Sequence, residues 1–205
     1  GDMDIGEQRL RYNLGVRYVE TDQLVTSRLT FPNPANTPAT PDGQRLADLV
    51  NVVPRESTYE NWLPSPNVSF NVTDKAIVRA GLSKTMTRAN PTDMLLGLSI
   101  RNADVSQVDL GNPELKPYVS DNVDLGFEYY TSDEGYFGAA AFRKGIDGFT
   151  QRQSTFIPFS ELAQYGVTLD TLAQQQRDAV EGRGGNSAIV ELRQTVNASG
   201  RLTIN

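Results

Sequence analysis

Apolar and polar residues alternate along much of this chain with a period of two, the mark of strands whose two faces meet different surroundings. Between residues 9 and 19, Leu10, Tyr12, Leu14, Val16 and Tyr18 fall on one face. Arg9, Arg11, Asn13, Gly15 and Arg17 fall on the other, with Val19 the one apolar exception. Residues 120–130 repeat the pattern: Val123, Leu125, Phe127 and Tyr129 oppose Asn122, Asp124, Gly126 and Glu128. Two hairpins follow from their turns. Residues 62–71 run into Asn71-Val72-Thr73-Asp74 and return over 75–88, where Ala76, Val78, Ala80 and Leu82 share a face opposite Arg79, Gly81 and Ser83. Residues 119–130 meet Thr131-Ser132-Asp133-Glu134-Gly135 and return over 136–150. Both turns are rich in the residues that hydrogen-bond locally or accept positive φ. The return strand alternates less cleanly, with Tyr136, Ala140 and Phe142 opposed by Phe137, Ala139, Ala141 and Arg143.

The other connections are long. Residues 22–58 carry Pro32, Pro34, Pro38, Pro41 and Pro54, and residues 89–117 carry Pro91, Gly111-Asn112-Pro113 and Pro117. The stretch 151–187 holds one short helix near 169–181. Thr168 or Asp170 can cap it; Leu169, Leu172, Ala173, Ala179 and Val180 follow its spacing, and Gly182 stops it. Residues 188–205 read as extended, with a turn signal at Asn197-Ala198-Ser199-Gly200. The pattern predicts a mainly β, antiparallel up-and-down meander in which short turns alternate with long loops. Compact domains seldom keep several connections that long, whereas outer-membrane barrels do.

Composition narrows the function. The 205 residues contain no Cys and no His, which removes thiolate nucleophiles, the commonest general base and the usual zinc ligands. A net charge of −6 with scattered Lys and Arg argues against a nucleic-acid partner. No run of 18 apolar residues is present for a transmembrane helix. Gly1 reads as a cleavage scar, so the missing signal peptide decides nothing. Asp124 and Glu128 share a strand face roughly 13 Å apart, beyond the ~5–9.5 Å of glycosidase carboxylate pairs. Gly182-Arg183-Gly184-Gly185 follows a helix, where a phosphate loop would precede one. The chain reads as a non-enzyme, with no cofactor and no catalytic or metal residues to assign.

At this point a family resemblance enters. Asn13-Leu14-Gly15-Val16-Arg17-Tyr18-Val19-Glu20-Thr21-Asp22 resembles a barrel strand of TonB-dependent receptors, as does Tyr59-Glu60-Asn61-Trp62-Leu63-Pro64-Ser65-Pro66-Asn67 with Thr73-Asp74-Lys75 and Val78-Arg79-Ala80 after it. Ser83-Lys84-Thr85-Met86-Thr87-Arg88 looks like a strand end before a large loop. Gly111-Asn112-Pro113-Glu114-Leu115-Lys116-Pro117 then leads into Asn122-Val123-Asp124-Leu125-Gly126-Phe127-Glu128-Tyr129-Tyr130. Ala141-Phe142-Arg143-Lys144-Gly145-Ile146-Asp147-Gly148-Phe149 resembles the return strand. The match covers roughly residues 9–150, in order. Pro66 departs from it, standing where the family usually has an apolar residue. No plug domain and no energy-coupling box is seen, and the chain ends at Asn205 without a terminal aromatic. Residues 1–205 are therefore expected to be a single fragment of the barrel domain.

The resemblance implies a partial outer-membrane β-barrel in which one strand face meets lipid and the other the lumen or plug. The intact parent would bind a scarce extracellular nutrient (iron chelate, cobalamin or oligosaccharide) through its long loops. Import would use energy relayed by the TonB complex, with the plug rearranging. On this reading Tyr12 and Tyr18 lie near the two edges of the apolar band, about 20 Å apart. Trp62 is an interface anchor, and Arg17, Arg79, Asp124, Glu128 and Arg143 lie on the polar faces. The isolated fragment is expected to oligomerise through open edges and a bare apolar face, or to fold so that this face is buried. The competing reading is a soluble extracytoplasmic β-rich binding module for carbohydrate or protein.

Overall fold

The computed structural model describes residues 1–33, 35–36, 39–131 and 135–205. Pro34 and Pro38 of the proline-rich link, and Ser132, Asp133 and Glu134 of the second expected turn, lie outside the described residues. The strands in chain order are β1 (Asp2–Ile5), β2 (Gln8–Asn13), β3 (Val16–Phe31), β4 (Leu49–Pro64), β5 (Asn67–Thr73), β6 (Ala76–Thr87), β7 (Ser99–Ile100) and β8 (Gln107–Leu110). They continue as β9 (Tyr118–Tyr130), β10 (Tyr136–Asp147), β11 (Thr150–Pro158), β12 (Ile189–Asn197) and β13 (Arg201–Ile204). Two α-helices, α1 (Pro91–Met94) and α2 (Gln174–Gly182), lie in the long connections.

Seven strands form one antiparallel sheet in the order β1-β2-β5-β6-β9-β10-β13. Both expected hairpins are present: Val68 pairs with Ala80 across the first and Leu125 with Ala141 across the second. The third short turn, Gly6-Glu7, joins β1 to β2 with Gly6 at φ 66, a left-handed conformation that costs glycine little. The sheet does not close on itself among the described residues, and β1 and β13 are its edges.

The ribbon β3–β4 continues β2 and β5. Leu10 pairs with Phe70, Val16 with Pro64 and Phe31 with Leu49, so partner numbers add to 80 along both segments. The break between them is local. Pro64 and Pro66 have no N–H to donate, and the Ser65 N–H carries the ladder through by donating to the Gly15 carbonyl at 2.7 Å. Residues 8–31 and 49–73 therefore act as two long strands. This corrects the expected loop at 22–58: only residues 32–48 connect, and Pro54 sits inside β4, which is paired along that stretch with β3. β10 and β11 pair in the same way with β13 and β12, with a one-residue shift where Gly148 and residues 198–200 interrupt them. The signal at 197–200 marks that interruption and not a chain reversal.

A second sheet, β11-β12-β8-β7, stands at the end of the long connections. Its β12–β8 pairing is parallel, which a pure meander does not contain. Val108, Ile157, Val190 and Leu192 from this sheet share a core with Leu29, Phe31 and Val53 of the ribbon and with Leu96, Phe159, Leu162 and Leu172. The expected helix near 169–181 is shorter. Leu169–Thr171 form a 3₁₀ turn in which Thr171 Oγ1 accepts from the Thr168 N–H at 2.9 Å. Leu172 and Ala173 are extended, and α2 begins at Gln174. Leu172 is buried in the core, so packing there overrides helical spacing.

Candidate functional site

Directly opposite residues in antiparallel pairs share a face, so the register fixes what each side of the sheet presents. Tyr12, Val68, Ala80, Leu125 and Ala141 lie opposite one another across five strands. Leu10, Phe70, Val78, Phe127 and Ala139 form the neighbouring row. Tyr12, Leu14, Val16 and Tyr18 thus share the side of Leu125 and Phe127. That side is bare: Leu14 is 74% exposed and Leu125 53%. The alternative in which folding buries this face is overturned.

The apolar face has an aromatic and charged edge. Tyr18 lies opposite Trp62 with ring centroids 4.9 Å apart, and the next pair on the same face is Glu20 opposite Glu60. On β6 and β9 the face changes from Leu82 and Val123 to Lys84 and Asp121, and on β10 from Ala141 to Arg143. From Tyr18 on β3 to Ala141, which is level with Tyr12, this boundary drops by six residues over four strand-to-strand steps. At roughly 3.3 Å per residue and about 4.8 Å per strand, a level boundary requires strands tilted by about 45°. Transmembrane barrels tilt theirs by about 35–45°.

The register also corrects one assignment. Arg143 is paired with Val123 and so lies on the apolar face, not the polar one, while Phe142 lies opposite Asp124. The remaining charges fall where expected. Arg79 donates to Glu128 through Nε at 3.0 Å and Nη2 at 3.2 Å, and to Ser69 Oγ at 3.2 Å. Asn122 is buried and its Nδ2 reaches Ser83 Oγ and the Ser83 carbonyl, both at 3.2 Å. Between these groups runs a shallow groove of about 620 Å³, where Gly81 and Gly126 expose backbone and Arg11, Asn67, Arg79 and Asp124 line the sides.

The long-connection end carries sites that strand periodicity did not reveal. On the polar face of the second sheet, Asp109 is 8% exposed and is paired with Arg101 and with Arg152 Nη2 at 2.9 Å. Glu191 accepts from Gln107 Nε2 at 2.5 Å, Ser154 Oγ at 2.7 Å and Arg193 Nε at 3.0 Å. Those donors pull its carboxyl down to about 2. A cavity of about 520 Å³ lies between the 32–48 connection and the start of α2, lined by Asn36, Arg45, Asp48, Gln174 and Gln175 among others. Asn36 pins that connection by exchanging two 2.8 Å hydrogen bonds with the Leu46 backbone. A hint was present in the alternation of Val108 with Leu110 and Val190 with Leu192, each too short to stand alone.

Comparison with known proteins adds to this geometry. No curated protein sequence matches the chain. The Serratia marcescens hemophore receptor HasR, solved in complex with its hemophore HasA and heme, superposes with a TM-score of 0.50 at 14% identity. That match covers 96% of this chain and 28% of HasR. The ferric enterobactin receptor PfeA of Pseudomonas aeruginosa gives a TM-score of 0.46 at 15% identity, over 96% of this chain and 32% of PfeA. The chain thus spans about a third or less of these receptors, and at such identities the HasR likeness speaks to fold alone. The model of the TonB-dependent receptor-like β-barrel matches residues 1–201. The apolar face, level boundary and short turns at one end agree with that barrel architecture, and the match spans nearly the whole sequence: this chain is a member of the TonB-dependent receptor β-barrel family.

Proposed function

We propose that this chain is a wall segment, with its outer vestibule, of an outer-membrane receptor that captures a scarce extracellular nutrient and imports it with energy relayed by TonB. The observation that carries the reading is the unbroken row of apolar residues on one side of five strands, backed by a polar side with a groove. The apolar side meets outer-membrane lipid, where every backbone group must be paired within the sheet. The polar side, with Arg79, Asp124 and Glu128, meets the plug domain. The long connections at 32–48, 88–117 and 159–188 form the extracellular mouth, and the cavity beside Arg45 and Gln174 is a candidate first contact for nutrient. A soluble binding module has no use for an apolar face that stays bare.

HasR and PfeA, by their descriptions, handle heme and enterobactin, which supports a nutrient receptor without choosing between an iron chelate, cobalamin and an oligosaccharide. Deleting the gene for the whole receptor, in strains with and without TonB, tests the function. Growth on one of these nutrients as the limiting source is expected to fall in both the receptor and the TonB deletions. Unchanged growth on all of them would sink the proposal. The isolated 205-residue chain is expected to associate through its apolar face in detergent-free buffer, and light scattering that finds a stable monomer would contradict the membrane assignment.

A further inference from the structure

Residues 111–117 bond both to the β3–β4 ribbon and to β12. On the ribbon side, the Pro113 carbonyl accepts from Gln23 Nε2 at 3.1 Å. Leu115, 1% exposed, packs there in a small core with Val25, Ala89 and Met94. The Asn112 N–H donates to the Asp93 carbonyl at 2.8 Å, and a Cβ at Gly111 would run into the Leu95 carbonyl, so only glycine fits that seat. On the β12 side, Asn112 Nδ2 donates to the Thr195 carbonyl at 3.1 Å and Gln194 Nε2 to the Gly111 carbonyl at 3.3 Å. The tightest link is Asn197, which is half-buried. Its Oδ1 accepts from the Lys116 N–H at 2.9 Å, and its Nδ2 donates to the carbonyls of Lys116 at 3.0 Å and Gly148 at 2.7 Å. One side-chain amide thus pairs with Lys116 as the backbone of a neighbouring strand would.

These bonds converge where the ladder breaks. Asp147 pairs with Arg201 and Thr150 with Asn197, so three residues on one strand stand against two on the other. Such an extra residue is a bulge, a device that re-aims the side chains beyond it. Beyond this one, Ile157 faces Val190 and Thr155 faces Leu192. If the wall register ran on unchanged, Ile157 would face Glu191 and Thr155 would face Arg193. A one-residue slip turns a whole strand over, so charges would enter the core that Val190 and Leu192 now fill. We propose that residues 111–117 are a register clamp. Seated on the ribbon through Pro113 and Leu115, they hold Asn197, and with it the extra residue that turns the apolar side of the second sheet inward. Asn197 and Asn112 are then positioning residues, acting on the mouth through β12. The clamp consists of contacts within the chain and works whatever the wall or the mouth meets outside it.

The test reads register in the whole receptor in detergent, by disulfide formation between introduced cysteines. Gln151→Cys with Val196→Cys joins residues that lie directly opposite, whereas Arg152→Cys with Val196→Cys joins residues that become opposite only after a one-residue slip. The first pair is expected to cross-link in preference to the second. Adding Asn197→Asp sets a carboxylate against the Lys116 and Gly148 carbonyls and is expected to lower that preference about tenfold. Asn112→Ala, which leaves Asn197 in place, is expected to lower it about threefold. Val190→Ala weakens the core but not the clamp, and is expected to leave the preference unchanged. An unchanged preference in Asn197→Asp overturns the inference. So does an equal loss in Val190→Ala, because packing would then set the register by itself. If Asn197→Asp yields no folded receptor, Asn112→Ala decides by the same ratio, and an unchanged ratio there overturns the clamp.

Discussion

Leu125→Arg is expected to cost the barrel up to about 2–4 kcal/mol, because it places a charge inside the proposed lipid-facing band. Leu125 lies in the row of Tyr12, Val68, Ala80 and Ala141, with apolar neighbours on both sides and no carboxylate opposite. Its distance from the boundary at Val123 is short, so part of the penalty can be relieved by the arginine reaching upward. Ala80→Arg, directly opposite on β6, tests the same depth from the neighbouring strand. The measurement is equilibrium folding of the whole receptor into vesicles under urea. Asp124→Asn, next to Leu125 but on the polar face, serves as the reference and is expected to move the midpoint little. A Leu125→Arg receptor that folds as well as the reference would mean that this face does not meet hydrocarbon.

The second large effect lies at the other end of the molecule. Phe159→Ala is expected to destabilise the folded mouth by about 3–5 kcal/mol, the usual range for emptying a buried phenylalanine site. Phe159 is 1% exposed and shares its core with Leu29, Leu162, Val190 and other residues from both ribbon and connections. Phe156, three residues earlier, is 71% exposed, and Phe156→Ala is expected to stay within about 0.5 kcal/mol. Amide hydrogen exchange at Val190 and Leu192 reads the difference without unfolding the wall. Equal protection in the two variants would show that the core does not hold the mouth together.

How much of this was legible in the sequence depends on how unlike the two faces of each strand are. On β9, Val123, Leu125 and Phe127 alternate with Asn122, Asp124 and Gly126, and both face and partner follow from the letters alone. On β10 the two sets are Phe137, Ala139, Ala141, Arg143 and Tyr136, Gly138, Ala140, Phe142. Each set is largely apolar, so one arginine and one phenylalanine cannot say which side is which. Only the pairing of Arg143 with Val123 decides it. Prolines misled in a different way. Pro54 suggested a loop, yet β4 tolerates it because the ribbon has only two strands and a missing N–H can face away from the partner. The second sheet was out of reach for a third reason. Its central contact joins Leu192 to Val108 in parallel, and no local pattern announces a partner that far away.

The shared core has one further consequence. Leu29, Phe31 and Val53 belong to the strands of the wall, while Leu96, Phe159 and Leu172 belong to the connections above it. A roof bolted to its own walls is a poor shutter. In this segment, opening and closing would require tearing apart a dry interior, so if the proposed import holds, its moving part is expected to be something beneath the roof.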